Sequence, residues 1–196
     1  VWQLVGAWAA VAAGALVAIG PPLPTVTPTI AADVPSVALG LVALSVMVLA
    51  TRPRAPAWIA IFAGAALGLA VMTKLLAAPF AVPLLALALA RGEARRTLPA
   101  AAAGAGAVIG VFVVANAGSL GAIWEAVVGD HRDAKALGSF SQNVDWIVHL
   151  LDLRTPFGWL VPLGFVAFVL VPRARRCWPL WTLIPASWVF LVLVRP

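Results

Sequence analysis

Apolar residues run through this chain in long blocks, separated by clusters of arginine, glycine and proline. Cutting at those clusters predicts seven apolar segments, at approximately 1–20, 31–50, 57–73, 75–90, 98–117, 156–171 and 178–194. Each is near the roughly 17–25 residues that carry a helix across the hydrocarbon of a bilayer. Pro21, Pro22, Pro24 and Pro28 punctuate the first connection, and Pro79 and Pro83 hint at a break inside the fourth segment. Gly64 with Gly68, and Gly106 with Gly110, set small residues four apart, the spacing that lets helices approach closely. Gly104-Ala105-Gly106 is no nucleotide loop, because no strand precedes it. The expected fold is all-α: a polytopic transmembrane helix bundle of about seven helices. It is read as a single transmembrane domain over 1–196, with one longer outer loop over 118–155 that carries an interfacial amphipathic helix.

Composition strengthens this reading. Hydrophobic residues make up 63% of the chain and charged residues 10%, with a mean hydropathy of +1.05, whereas soluble domains run nearer a quarter charged. Nine Trp and no Tyr fit the same class, since indoles favour the membrane interface. The single Cys177 excludes an intramolecular disulfide. The chain opens at Val1 inside an apolar run and closes at Pro196 just after another, so an internal fragment of a longer membrane protein is expected.

Charge adds an orientation. Arg52 and Arg54, then Arg91, Arg95 and Arg96, then Arg173, Arg175 and Arg176 follow alternate segments: eight basic residues on one side, opposed by Glu93 alone. The other side holds five basic residues and six of the seven acids. This positive-inside asymmetry puts the arginine clusters in the cytoplasm and makes a nucleic-acid partner unnecessary. An integral, multi-pass protein of the cell inner (plasma) membrane is expected, with its active face outside.

The candidate chemistry then gathers on the outer side. Lys74 interrupts an otherwise uncharged stretch from Ala57 to Ala90. At mid-membrane a lysine costs about 2.5–3.5 kcal/mol, but at the outer turn of a hairpin its ammonium reaches the interface. It is either a snorkelling cap or a functional cation. Asp33 opens the second segment, where a carboxylate suits a helix N-terminus and Pro35 suits the first turn; a functional role stands beside that one. The outer loop packs Asp130, His131, Arg132, Asp133 and Lys135 together, as a solvated charge cluster or a substrate-binding patch. His131-Arg132-Asp133 matches the letters of a kinase catalytic loop, yet no glycine-rich loop or DFG accompanies it. Asp145, His149 and Asp152 share one face of a predicted interfacial helix with Asn143 at its N-cap, a wet face that needs no metal. No cofactor and no metal ligand set is assigned, and a divalent-metal requirement is left open.

Two stretches carry a family resemblance. GLAVMTKLLAAPFAVPLLAL resembles the G-x-A-x-x-T-K hairpin of GT-C membrane glycosyltransferases. IAADVPSVALGLVALSVMVLATRPR resembles the span of that group that opens on an acid and ends at a basic cytoplasmic loop. The relatives are the dolichyl-phosphate-mannose protein mannosyltransferases and aminoarabinose transferases (glycosyltransferase family 39). The resemblance implies transfer of a sugar from a polyprenyl-phosphate donor to a glycan, lipid or protein acceptor on the outer side. An acceptor hydroxyl would attack the anomeric carbon while a carboxylate takes its proton and the lipid phosphate leaves. It implies a catalytic role for Asp33 and substrate binding by Lys74, with Asp130, His131 and Arg132 as further substrate-binding candidates. The family's acidic pair in the first outer loop has no counterpart here, so the principal base is expected upstream of Val1. The competing class is a non-catalytic polytopic protein, a transporter half or an assembly subunit.

Overall fold

The computed structural model describes residues 33–125 and 178–194, together with Val148, Pro162, Val166, Val169 and Leu170. Every regular element among them is helical. In chain order these are α1 (Asp33–Ala50), α2 (Ala57–Thr73), a 3₁₀ segment (Leu75–Phe80), α3 (Ala81–Ala90) and α4 (Ala94–Ala115). A short 3₁₀ turn (Ala117–Ser119) and α5 (Leu120–Trp124) follow, and later α6 (Trp178–Trp181) and α7 (Leu183–Val194). The predicted first segment and the loop candidates lie outside the described residues.

Helix α2 is the centre of the assembly, with α1 along one flank and α4 along the other. The core between them is built mainly from small side chains: Ala43, Met47 and Ala50 of α1 meet Ala60, Ala63 and Ala70 of α2. Lipid gives helices no hydrophobic reason to associate, so close backbone approach and van der Waals packing must supply the attraction. The α2–α4 crossing shows how. A Cβ added at Gly64 would collide with the Ala101 carbonyl, and one added at Gly104 would collide with the Ile61 carbonyl. The two glycines admit each other's neighbouring backbone reciprocally. Gly68 lies one turn further on, where an added Cβ would sit 3.1 Å from the Ala105 oxygen.

The sequence pattern anticipated Gly64 and Gly68 at a close contact, but the expectation for α4 is corrected. Among the described residues nothing lies against Gly106 or Gly110, and the packed glycine is Gly104. The two small faces lie on different sides of the same helix, so spacing alone could not choose between them.

The fourth predicted segment also changes. Its first six residues, Leu75–Phe80, wind as a 3₁₀ helix with Pro79 inside, and only ten residues, Ala81–Ala90, are α-helical. Pro79 has no N–H for an i→i−4 bond and its ring crowds the carbonyl of residue 75, which favours the tighter winding. Pro83 falls in the first turn of α3, where the missing N–H is lost at little cost. Phe80 closes the segment and anchors it: its ring lies 2.8 Å from where a Cβ on Gly40 of α1 would be.

Helix α3 stops at a Schellman turn. The Glu93 N–H bonds the Ala88 carbonyl at 3.0 Å, the Gly92 N–H bonds Leu89 at 3.1 Å, and Gly92 has φ +68°. The chain restarts at once as α4, four residues earlier than the apolar pattern predicts, so Arg95 and Arg96 belong to its first turn rather than to a loop. Among the described residues α4 alone is long and apolar enough to cross a membrane by length and composition, and 6% of its apolar window is buried. Pro35–Ala50, Ala57–Thr73 and Ala77–Ala90 are shorter apolar stretches. A bundle of seven membrane spans is therefore not reproduced by the described residues.

The two glycine faces make a clean comparison. Gly64→Ala should lower stability by about 1–3 kcal/mol through overpacking, read as a lower midpoint of thermal unfolding in detergent. Gly106→Ala should leave the midpoint unchanged or raise it, since the methyl meets nothing. Equal midpoints for both variants would remove the close crossing from its central role.

Candidate functional site

The helix hairpin sorts charged residues to its two ends. α1 and α2 run antiparallel through the short loop 51–56, and α3 and α4 reverse at Arg91, Gly92 and Glu93. The arginine loops therefore share one end, while Asp33 and Lys74 share the other, about 26 Å away by the length of α2.

At the Lys74 end the chain changes winding over a single residue. Lys74 is extended (φ −159°, ψ 131°) between the last turn of α2 and the 3₁₀ segment. Its N–H bonds the Ala70 carbonyl at 3.0 Å and so finishes α2, while its own carbonyl accepts from the Ala77 N–H at 3.0 Å and starts the next segment. Both backbone groups are used, and the residue is exposed. The hairpin placement expected from sequence thus holds, with a joint tighter than a loop. Thr73 beside it donates its hydroxyl to the Leu69 carbonyl at 2.8 Å. Asp33 is the first described residue and lies in α1.

Next to this end an apolar groove of about 330 Å³ runs between α2 and α4, lined by Leu69, Met72, Val108, Val111, Phe112 and Ala115, with Asn116 at its polar limit. The Asn116 amide donates to the Phe112 carbonyl at 2.8 Å and caps α4. A second apolar groove of about 540 Å³ lies along α4 over Ala107, Gly110, Val111, Val114 and Ala115. Chemically, this end offers a cation and hydrocarbon-lined surface, and the backbone of Asp33 lies at the same end. Among the described residues no cluster of His, Cys, Asp and Glu suits a metal ion. Asp130, His131 and Arg132, and the predicted helix around His149 apart from Val148, lie outside the described residues.

The opposite end contains the residue that sequence reasoning undervalued. Arg96, counted there only as a topogenic charge, reaches from α4 into the α1–α2 loop. Its Nη1 donates to the Ala55 carbonyl at 2.6 Å, and its Nη2 donates to Ala50 at 2.9 Å and Arg52 at 3.2 Å. Glu93 one turn earlier closes the set through a 3.2 Å ion pair. The guanidinium thus satisfies carbonyls left open where α1 ends. A Glu-x-x-Arg spacing at a helix start was the available signal, but a reach across 41 to 46 residues is invisible in sequence.

Taken together, these features define, among the described residues, a helical chain with one helix long and apolar enough to cross a membrane and with its charged residues at the helix ends. The chain belongs to the dolichyl-phosphate-mannose-protein mannosyltransferase family, whose model matches residues 1–118. That membership places it among membrane glycosyltransferases, and the matched region includes Asp33, Lys74 and Arg96. Comparisons with curated proteins and with solved structures give no match.

Arg96→Gln should destabilise the protein by about 2–3 kcal/mol, because a forked set of charge-assisted bonds is lost. Arg96→Lys should recover only part of it, since one ammonium cannot bridge three carbonyls in the same fork. Thermal unfolding in detergent checks both, and an Arg96→Gln midpoint equal to that of the parent would show the clamp to be dispensable.

Proposed function

We propose that this chain transfers a sugar from a polyprenyl-phosphate carrier to a glycan, lipid or protein acceptor on the extracytoplasmic face of the plasma membrane. The observation that carries the proposal is Lys74: an exposed cation at a one-residue joint, at the end of the bundle remote from the arginine loops, in a chain of this family. Residues 1–196 act in this reading as one transmembrane domain, with the 118–155 loop outside.

The acceptor hydroxyl attacks the anomeric carbon, a carboxylate takes its proton, and the bond to the carrier phosphate breaks. Charge builds on the departing phosphate, so a fixed cation there stabilises the transition state more than the ground state. Lys74 supplies that cation, and the apolar groove beside α2 and α4 suits the carrier's hydrocarbon. Asp33 serves the acceptor side, and Asp130, His131 and Arg132 complete the headgroup contacts. The attraction between Lys74 and a phosphate is stronger at the interface than in bulk water because the local dielectric is lower.

Turnover in the full-length enzyme, with expression matched, tests the assignment. Lys74→Met should slow it by roughly a hundredfold or more, about 2.7–4 kcal/mol by comparison with loss of an oxyanion donor. Lys74→Arg should keep more activity than the methionine variant, and Asp33→Asn should be impaired while folding normally. Equal rates for lysine, arginine and methionine at 74 would end the phosphate assignment, and wild-type turnover by Asp33→Asn would leave that residue only its helix-opening role.

Sidedness has its own measurement. In a Cys177→Ser background, a membrane-impermeant thiol reagent applied to intact cells should label Ser139→Cys and spare Ala174→Cys. The reverse pattern would place Lys74 on the cytoplasmic face and remove the donor-phosphate reading with it.

A further inference from the structure

The arginine-bearing end has a property that topology alone does not require. Arg52 and Arg54 on the α1–α2 loop, and Arg91 and Arg95 at the α3–α4 reversal, are all exposed. Among the described residues their guanidinium groups make no ion pair and no hydrogen bond. Arg96 differs: Glu93 neutralises it, and its two Nη groups donate to Ala50, Arg52 and Ala55. That clamp ties the two loops together, so four uncompensated positive charges are held on one small platform. Arg54 stands there with φ 61°, a left-handed backbone that a non-glycine residue rarely adopts.

The flank of the platform is apolar and layered. Trp58, in the first turn of α2, is 57% exposed, and Phe62, one turn further, is 61% exposed. Their rings meet edge to face with centroids 5.8 Å apart. Phe62 lies about 6 Å deeper along the helix axis than Trp58. Passing inward from the loops, a ligand meets cations, then an indole, then a phenyl ring. This sequence matches a lipid monolayer, with phosphate outermost, an interfacial zone beneath it and acyl chain below. A soluble phosphate or a nucleic acid would use the arginines alone and make no contact with the two rings.

We propose that this platform is a docking site for an anionic phospholipid of the adjoining leaflet, its phosphodiester between the two arginine pairs and its chains against Trp58 and Phe62. The proposal needs only a membrane-embedded chain, and stands or falls separately from the role of Lys74. Each arginine near an anionic surface should contribute about fivefold to the preference for charged lipid.

The test is native mass spectrometry of the purified protein after equilibration with equal amounts of phosphatidylglycerol and phosphatidylcholine. The parent should retain phosphatidylglycerol selectively. The quadruple variant Arg52→Gln, Arg54→Gln, Arg91→Gln, Arg95→Gln should retain the two lipids nearly equally. The corresponding quadruple lysine variant should keep most of the selectivity, because charge is preserved. If the quadruple glutamine protein does not fold, the two double variants, one on each loop, should each lose part of the preference. Unchanged selectivity in folded glutamine variants would overturn the proposal. Complete displacement of the lipid by inorganic phosphate would also overturn it, by showing a soluble-anion site.

Discussion

The contact on which this structure depends is backbone against backbone, where α2 and α4 cross at Gly64 and Gly104. In water, larger side chains would drive two such helices together by leaving solvent. In lipid that gain is absent, and the remaining attraction grows with closeness. Removing two side chains at the crossing lets carbonyls and Cα atoms touch over the surrounding turns. Alanines dominate the rest of the core for the same reason, with Met47, Phe80, Leu84 and Leu87 as its larger members. Exposed Val111, Val114, Phe62 and Leu69 show the complementary side, a surface suited to hydrocarbon.

Among the described residues the charged side chains then lie at the helix ends and are divided between them. Two buried hydroxyls are satisfied locally: Thr51 bonds the Met47 carbonyl and Thr97 bonds the Glu93 carbonyl, so neither asks for a distant partner. At the arginine end, Arg96 binds the loop between α1 and α2 and thereby sets how the α1–α2 hairpin leans on α4. At the other end the backbone of Lys74 is fully used while its side chain lies at the surface. A braced end, and an opposite end that carries Lys74 and Asp33, follow from the placement of a few charged residues in a member of a membrane glycosyltransferase family.

Much of the architecture was legible where hydropathy changed sharply. The predicted segments at 31–50 and 57–73 fall within two residues of α1 and α2, because prolines and arginines bound them clearly. The start of α4 is not legible in hydropathy, which turns apolar only past Arg96, whereas the Schellman turn at Gly92 lets the helix begin before its arginines. The choice between Gly104 and Gly106 depended on where two helices cross, a tertiary quantity absent from a four-residue spacing. The location of Lys74 at a hairpin joint could be read because one charge in an apolar stretch has few tolerable places. The role of Arg96 could not, since its acceptors are backbone carbonyls that every residue possesses.

The 3₁₀ segment behind Lys74 carries a consequence for the helix that follows it. Each residue in a 3₁₀ helix advances about 120° and 2.0 Å, against about 100° and 1.5 Å in an α-helix. Over the six residues Leu75–Phe80, the difference amounts to about 120° of rotation and about 3 Å of length. Were the segment to wind as an α-helix, α3 would point Leu84, Leu87 and Ala88 a third of a turn away from the core they now fill. Pro79 thus acts as a phase shifter: a single ring, placed before α3 begins, dials the angle at which that helix meets its neighbours.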